Sequence, residues 1–209
     1  MRPLPRLHAI TDRTVLELED LGVRAAALAS TGSVVALHAR DRTATGEKLT
    51  STVRRFLSLA RPPEAAVFVN GRPDIAAALG AQGVQLGAGD LLPSDARLAA
   101  GDWSGWIGSS VHSTDEARMA IEAGADFLIV GPIYSTTSHP DRPAAGPGLV
   151  TEVAKLGKPV IAIGGVTPER GQELKEGGAY GIAAITAAWH VRDPAAAALA
   201  LLAPWLEAA

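Results

Sequence analysis

Short apolar runs alternate with longer helix-like segments along the whole chain, and this alternation limits the possible folds more than any other feature. Eight such pairs follow one another. The predicted strands are Leu7–Ile10, Val34–Ala39, Ala65–Asn70, Val84–Leu86, Trp106–Val111, Phe127–Val130, Pro159–Ile163 and Tyr180–Ala184. The predicted helices are Val15–Ser30, Lys48–Ala60, Pro73–Leu79, Ser94–Ala100, Ser113–Gly124, Val150–Leu156, Thr167–Glu176 and Pro194–Leu206. Such alternation predicts a parallel sheet covered by helices.

The number of units predicts how the sheet is arranged. Eight parallel strands, each followed by a helix, predict the α/β fold known as the (β/α)8 or TIM barrel. The chain of 209 residues has the length of one barrel, so we expect a single domain over residues 1–209. An open, doubly wound sheet is the alternative.

Composition excludes several classes of function. Without cysteine, the chain has no disulfide, no thiolate nucleophile and no cysteine-based zinc site. A net charge of −3 and an aromatic content of 4% do not suit nucleic-acid binding. The sequence carries no recognisable signal peptide and no apolar run near the ~20 residues of a membrane span. We therefore expect a cytoplasmic protein without a membrane partner.

Polar residues gather where the predicted strands end. In a barrel of this kind, the carboxyl ends of the strands and the loops after them carry the function. The polar residues found there are Asp12, His38, Arg40, Arg42, Asn70, Arg72, Gln85, Asp90, Ser110, His112, Thr136, Thr137, Ser138 and His139. We expect them to surround one ligand site.

The ends of the last two strands predict a phosphate site. Gly164 and Gly165 follow the seventh strand, and Ala184, Ile185 and Thr186 end the eighth. Glycine lets backbone N–H groups approach a ligand closely, and this region is the recurrent phosphate site of the fold. The hydroxyl groups of Thr136 and Ser138, with Gly146 in the same long loop, could close over the phosphate. The alternative is that the glycines only make tight turns.

The second predicted strand ends in a histidine and two arginines. Because side chains alternate along a strand, His38 and Arg40 point to the same side. If that side is the barrel interior, both face the ligand. The alternative is a strand end that emerges into water, with solvated charges that include Arg42.

The other histidines and one acidic residue have more varied interpretations. His112 and His139 are predicted in loops facing the site, where an imidazole could move protons near neutral pH. His8 is expected in the core or at its rim, and His190 is expected to be structural. Asp90 is the nearest candidate for a magnesium ligand, and an exposed loop aspartate is the alternative.

Five segments together resemble the thiamine phosphate synthase superfamily. They are Leu7–Asp12, Asn70–Ala76, Gly108–His112, Gly131–Tyr134 and Ile161–Gly165, in the family's order along nearly the whole chain. The resemblance implies a (β/α)8 barrel of thiamine biosynthesis, usually a homodimer, so we expect a homodimer here. The superfamily has two branches. Synthases join an aminopyrimidine diphosphate to a thiazole phosphate with magnesium, whereas the TenI branch includes a tautomerase that shifts protons on a carboxythiazole phosphate.

Several positions depart from the synthase pattern. The family's Gln-x-Arg-x-Lys in strand two is His38–Arg42 here, and its magnesium-binding aspartate after strand three is Gly71. Its Thr-x-Thr-Lys loop is Thr136–His139, whereas Asp90 and Ser110 match. The His-x-Arg-x-Arg and Asn-Gly-Arg patterns are similar to the tautomerase branch. In that branch a histidine follows the glycine ending strand six, and here Pro132 occupies that position.

The resulting hypothesis is a TenI-like thiazole tautomerase whose ligand is a small phosphorylated thiazole or thiamine phosphate. His38 or His112 would act as acid and base with help from Ser110. The remaining residues would bind substrate: Arg40, through the ligand carboxylate, and Arg42, Asn70, Thr136, Ser138, His139, Gly146, Gly164, Gly165, Ala184, Ile185 and Thr186. No cofactor is expected, and magnesium at Asp90 applies only to the first alternative, a thiamine phosphate synthase. The second alternative is a non-catalytic phosphate-ligand-binding regulator.

Overall fold

The computed structural model describes residues 3–60, 64–136 and 143–206. The strands are β1 Leu7–Ile10, β2 Val35–Ala39, β3 Ala66–Asn70, β4 Gly83–Leu86, β5 Trp106–Val111, β6 Phe127–Val130, β7 Val160–Ile163 and β8 Gly181–Ala184. All neighbouring strands pair in parallel, and β8 returns to β1, which closes the sheet. The predicted TIM barrel is confirmed, and the open sheet is excluded.

Helices surround the barrel between successive strands. They are α1 Arg13–Leu16, α2 Leu21–Ala29, α3 Gly46–Leu59, α4 Pro73–Leu79, α5 Pro93–Ala99, α6 Thr114–Glu122, α7 Gly148–Ala154, α8 Gly171–Glu176, α9 Thr186–Trp189 and α10 Pro194–Leu206. A short 3-10 turn, Pro168–Arg170, precedes α8.

Two helical predictions differ from the structure. The single helix predicted over Val15–Ser30 is two helices, α1 and α2. The first begins early because the side chain of Asp12 accepts a hydrogen bond from Val15 N at 3.0 Å and caps it. The short helix α9 directly after β8 was not predicted. It carries Thr186, which the sequence assigned to the phosphate site.

The predicted start of α6 is confirmed. Ser113 is the N-cap, and its hydroxyl accepts a hydrogen bond from Glu116 N at 3.1 Å. The carboxylate of Glu116 turns back and accepts from His112 N at 2.7 Å. This reciprocal capping fixes the loop between β5 and α6, and with it the position of His112.

The barrel interior is filled by side chains. Phe68 and Phe127 cross edge to face, with ring centroids 5.8 Å apart. Glycines on neighbouring strands leave them room: a Cβ on Gly83 would lie 2.1 Å from the Phe68 ring, and one on Gly108 would lie 2.2 Å from the Phe127 ring. The packed interior gives the cavity above it a solid floor. Within the described ranges, no helix has the length and apolar character to cross a membrane.

Candidate active site

A cavity of about 950 Å³ opens at the carboxyl ends of the strands. Most of the predicted site residues form its wall: Arg40, Arg42, Asn70, Asp90, Ser110, His112, Thr136, Gly164, Gly165, Ala184, Ile185 and Thr186. Ser138 and His139, with Thr137, lie outside the described residues. His38 and Gly146 are not in the wall. Gly146 instead closes the loop, because its N–H donates to the carbonyl of Ile133 at 3.0 Å.

The predicted anion site is built from backbone at the ends of β7 and β8. These strands are neighbours in register, with Ile163 opposite Ala183, so the two stretches meet at the cavity. Among the described residues, the amides of Gly165 and Ile185 donate to no backbone carbonyl. Gly165 has a φ of +61°, and a Cβ there would lie 2.6 Å from the carbonyl oxygen of Ser135. Only glycine suits this turn.

Side chains behind the site hold the peptide of Gly165. The guanidinium of Arg170 donates to the Gly165 carbonyl oxygen and lies 4.2 Å above the ring of Tyr134. The hydroxyl of Tyr134 donates to Glu173 at 2.5 Å. Burial, and then the carboxylate of Glu173, raise the pKa of Tyr134 to about 12, so the phenol stays protonated near neutral pH. Because the carbonyl is tied back, the turn keeps one orientation.

Two arginines extend the positive charge to the end of β2. Arg40 and Arg42 both line the cavity, and Arg40 is partly buried. Burial lowers the pKa of Arg40, and the neighbouring Arg42 lowers it further. The carboxylates of Asp12, Asp41 and Asp90 act in the opposite direction, and the guanidinium stays charged. An anionic ligand between the two side chains would relieve that repulsion.

Ser110 is oriented by one of the polar strand-end residues expected around the site, to which the sequence assigned no role of its own. Gln85 on β4 is 1% exposed, and its Nε2 donates to Ser110 Oγ at 2.9 Å and to the carbonyl of Leu86 at 3.2 Å. With one lone pair engaged, Ser110 keeps its O–H to donate toward the cavity. The place of Gln85 at the site was predicted from the end of its strand, whereas its contact with Ser110 was not.

The histidines occupy three environments. His112 lines the cavity, and its Nδ1 lies 3.0 Å from the carboxylate of Glu116, which favours a proton on that nitrogen. His38 is fully buried below the cavity floor, as is His8. His190, expected to be structural, is exposed and lines the cavity, where its Nε2 lies 3.2 Å from Thr14 Oγ1. His190 therefore joins the candidate site.

The described acidic residues do not form a site that would hold magnesium without a ligand. Within residues 3–60, 64–136 and 143–206, no group of three or more histidine, cysteine, aspartate or glutamate side chains could hold a metal. Asp90 offers one carboxylate, and its Oδ2 already accepts from Gly87 N at 2.7 Å. Gly71, which faces Asp90, has no side chain to contribute. Magnesium in phosphate-binding sites is usually held by one or two carboxylates together with the phosphates of the substrate, so Asp90 could contribute only alongside a bound diphosphate.

Backbone amides after the last two strands are the arrangement with which many (β/α)8 barrels bind phosphate. The family model described as thiamine monophosphate synthase matches residues 7–188. The chain belongs to this family. Its thiamine-phosphate synthase relative from Thermus thermophilus is 40% identical over 202 residues, covering 96% of this chain and 91% of the relative. The Salinispora tropica protein of the same name is 39% identical, with coverages of 97% and 98%.

Solved structures agree with the family. Thiamine phosphate pyrophosphorylase from Pyrococcus furiosus has a TM-score of 0.81 and 30% identity, and the match covers 95% of this chain and 94% of that one. A 3-hexulose-6-phosphate synthase has a TM-score of 0.69 at 20% identity, over 95% and 99% of the two chains, and shows the shared fold alone. The resemblance stated from the sequence is thus confirmed at the level of the superfamily. The names of the relatives favour its synthase alternative over the TenI-like interpretation.

Proposed function

We propose that this protein is a thiamine-phosphate synthase, which joins an aminopyrimidine diphosphate to a thiazole phosphate and releases diphosphate. The observation that carries the proposal is the 40% identity to a synthase along nearly the whole chain. Two features of the cavity support it. Its volume suits two small substrates, and it presents cationic side chains at the end of β2 as well as amides after β7 and β8.

The amide site receives the thiazole phosphate. Gly165, Ile185 and Thr186 provide backbone N–H groups, and Gly164 and Ala184 allow the phosphate to approach closely. The hydroxyl of Thr136 adds a side-chain donor, and Ser138 and His139 are further candidates from the same loop. This part of the site holds the acceptor ring in place while the bond between the two rings forms.

The arginines receive the diphosphate. As the carbon–nitrogen bond between the two rings forms, the carbon–oxygen bond to diphosphate breaks and negative charge grows on the leaving oxygen. Arg40 and Arg42 stabilise that charge electrostatically, and the O–H of Ser110 donates to the leaving group. His112 is the candidate for moving a proton at the cavity wall. Asp90 in the cavity wall is the residue that would help the diphosphate to hold magnesium, which would supply further positive charge at the leaving group.

The TenI-like tautomerase is the second candidate. The glycine at position 71 favours it, since proton transfer on one ring needs no metal ligand there. Pro132 opposes it, because this residue lines the cavity at the position of the tautomerase histidine and cannot transfer a proton. His38, the other proposed acid and base, is fully buried and has no surface at which to meet a ligand.

One set of incubations separates the candidates. The purified protein is given both synthase substrates, with magnesium and with a chelator, and thiamine phosphate and diphosphate are measured. A parallel incubation contains only the unaromatised thiazole carboxylate phosphate. Product from the pair of substrates supports the synthase. Conversion of the single thiazole supports the tautomerase, and binding of thiamine phosphate without any turnover supports the non-catalytic regulator. Sedimentation of the same sample tests the expected homodimer.

A further inference from the structure

Two histidines lie end to end inside the barrel, directly below the cavity. His8 Nδ1 is 2.8 Å from His38 Nε2, and both side chains are fully buried. The row continues at each end. His8 Nε2 is 3.1 Å from the carbonyl oxygen of Pro5, and His38 Nδ1 is 3.1 Å from the side-chain Oδ1 of Asn70. Asn70 is the one member of this row that lines the cavity.

One arrangement of protons satisfies all three contacts with neutral rings. The carbonyl of Pro5 can only accept, so Nε2 of His8 must carry the proton and Nδ1 must accept. His38 then donates from Nε2, which leaves a lone pair on Nδ1. The partner of that lone pair must be a donor. Asn70 can meet this requirement only with its NH₂ group.

The reverse arrangement needs a buried positive charge. If the amide oxygen of Asn70 accepted from His38 Nδ1, His38 Nε2 would accept from His8, and His8 would have to donate from both nitrogens. The resulting imidazolium would lie between Phe68 and Phe127, whose ring centroids are 5.3 and 5.5 Å from that of His8. Burial lowers the pKa of His8 to about 4, and burial and then His8 lower the pKa of His38. Neutral rings are therefore favoured at pH 7.

We propose that His8 and His38 hold the Asn70 amide with its nitrogen toward His38 and its carbonyl oxygen toward the cavity. The nitrogen and oxygen of an amide are nearly the same size, so exchanging the two atoms puts Nδ2 in place of Oδ1 and preserves the 3.1 Å contact. Asn70 is then a hydrogen-bond acceptor that selects a ligand with an N–H group. His8 and His38 are positioning residues, which act on the ligand only through Asn70.

The choice of ligand group rests on the proposed function. The aminopyrimidine substrate carries an amino group, and an acceptor fixed in the wall favours it over an analogue without that group. A single hydrogen bond of this kind predicts a preference of about tenfold. The orientation of the amide itself follows from the row of contacts and does not depend on which reaction the protein catalyses.

The first experiment uses the unmodified protein without substrate. Protein labelled with ¹⁵N-histidine is studied at pH 7 by two-bond ¹H–¹⁵N correlation, which distinguishes the two neutral tautomers and the imidazolium. His38→Gln assigns the two buried signals. We expect both rings to carry their proton on Nε2. A proton on Nδ1 of either ring, or an imidazolium, would overturn the proposal whatever the reaction proves to be.

The second experiment measures binding of the aminopyrimidine diphosphate and of an analogue in which hydrogen replaces the amino group. Wild type should prefer the amine about tenfold, and Asn70→Leu should bind both equally. His38→Phe fills the space but cannot accept from Asn70, so it should lose the preference. His38→Gln can donate and accept, and should restore it. If His38→Phe and His38→Gln prefer the amine over the analogue to the same degree, the proposal is overturned. If wild type binds neither compound, the proposed function fails, and the tautomers alone decide the inference.

Discussion

The two sides of the cavity are built by different means. After β7 and β8 the candidate ligand site is backbone, and the turn after β7 is one that only glycine can make. After β2 to β5 it is side chains, oriented by other side chains from neighbouring strands. Two of the described positions where the sequence departs from the synthase pattern, Arg42 and Gly71, line the side-chain half, and the third, His38, contacts Asn70 from below it. A backbone site cannot be altered one residue at a time without breaking its turn, whereas a side-chain site can.

The largest effect is expected on the backbone half. Gly165→Ala places a Cβ 2.6 Å from the carbonyl oxygen of Ser135 at a φ of +61°. The turn must open, so we expect at least a hundredfold weaker binding of thiazole phosphate and a loss of about 3 kcal/mol of unfolding free energy. Calorimetric titration and denaturant unfolding measure the two effects.

Gly101→Ala is the matched control. Gly101 has nearly the same φ, +60°, but a Cβ there would meet nothing within 4 Å. It therefore carries the backbone strain without the clash, and we expect about 1 kcal/mol of destabilisation with unchanged ligand binding. Equal losses of binding in the two variants would mean that the turn at Gly165 is not a ligand site.

The next effect tests the charged side chains. Arg40→Met keeps much of the packing volume but removes the guanidinium that faces the diphosphate. A charge-assisted hydrogen bond contributes about 2 kcal/mol to binding. Its loss therefore predicts a 10- to 100-fold higher KM for the aminopyrimidine diphosphate. The KM for thiazole phosphate should change little, because the amides hold that substrate. Steady-state kinetics with each substrate varied in turn measure both.

Arg118→Met controls for the loss of a positive charge. Arg118 is exposed on α6, where its side chain pairs with Asp115 at 2.8 Å. Its removal should leave both KM values unchanged, since an exposed ion pair contributes little and the residue does not line the cavity. A rise in both KM values for Arg40→Met would instead show that the two halves of the site are not independent.

A smaller effect is expected where one side chain orients another. Gln85→Leu removes the donor to Ser110, so the serine hydroxyl is free to rotate away from the leaving group. We expect kcat to fall about tenfold in this variant and by a similar factor in Ser110→Ala. If Gln85 acts through Ser110, the double variant should be no worse than either single one. Multiplicative losses would assign Gln85 a separate role.

The same contrast explains what the sequence could predict. The alternation of strands and helices was sufficient for the barrel, and the glycines after β7 marked the backbone site, because both are local patterns. The contact between Gln85 and Ser110 joins residues on different strands and has no local signature. His38 and Arg40 share a side of β2 as predicted, but two residues of strand differ in height by about 6.6 Å. Alternation does not predict which of the two side chains reaches the cavity. Of the two, only Arg40 lines it.

The smallest predicted effect concerns the support behind the backbone half. Tyr134 donates to Glu173, and its pKa is raised to about 12. A raised pKa means that the folded state favours the neutral phenol. This contribution is fully present below the unfolded pKa near 10 and is lost as pH rises toward 12. Tyr134→Phe cannot ionise, so its unfolding free energy should lack that decline, measured by denaturant unfolding at several pH values. If both proteins lose stability in parallel between pH 10 and 12, Tyr134 does not brace the turn through its hydroxyl, and the backbone site depends on Arg170 alone.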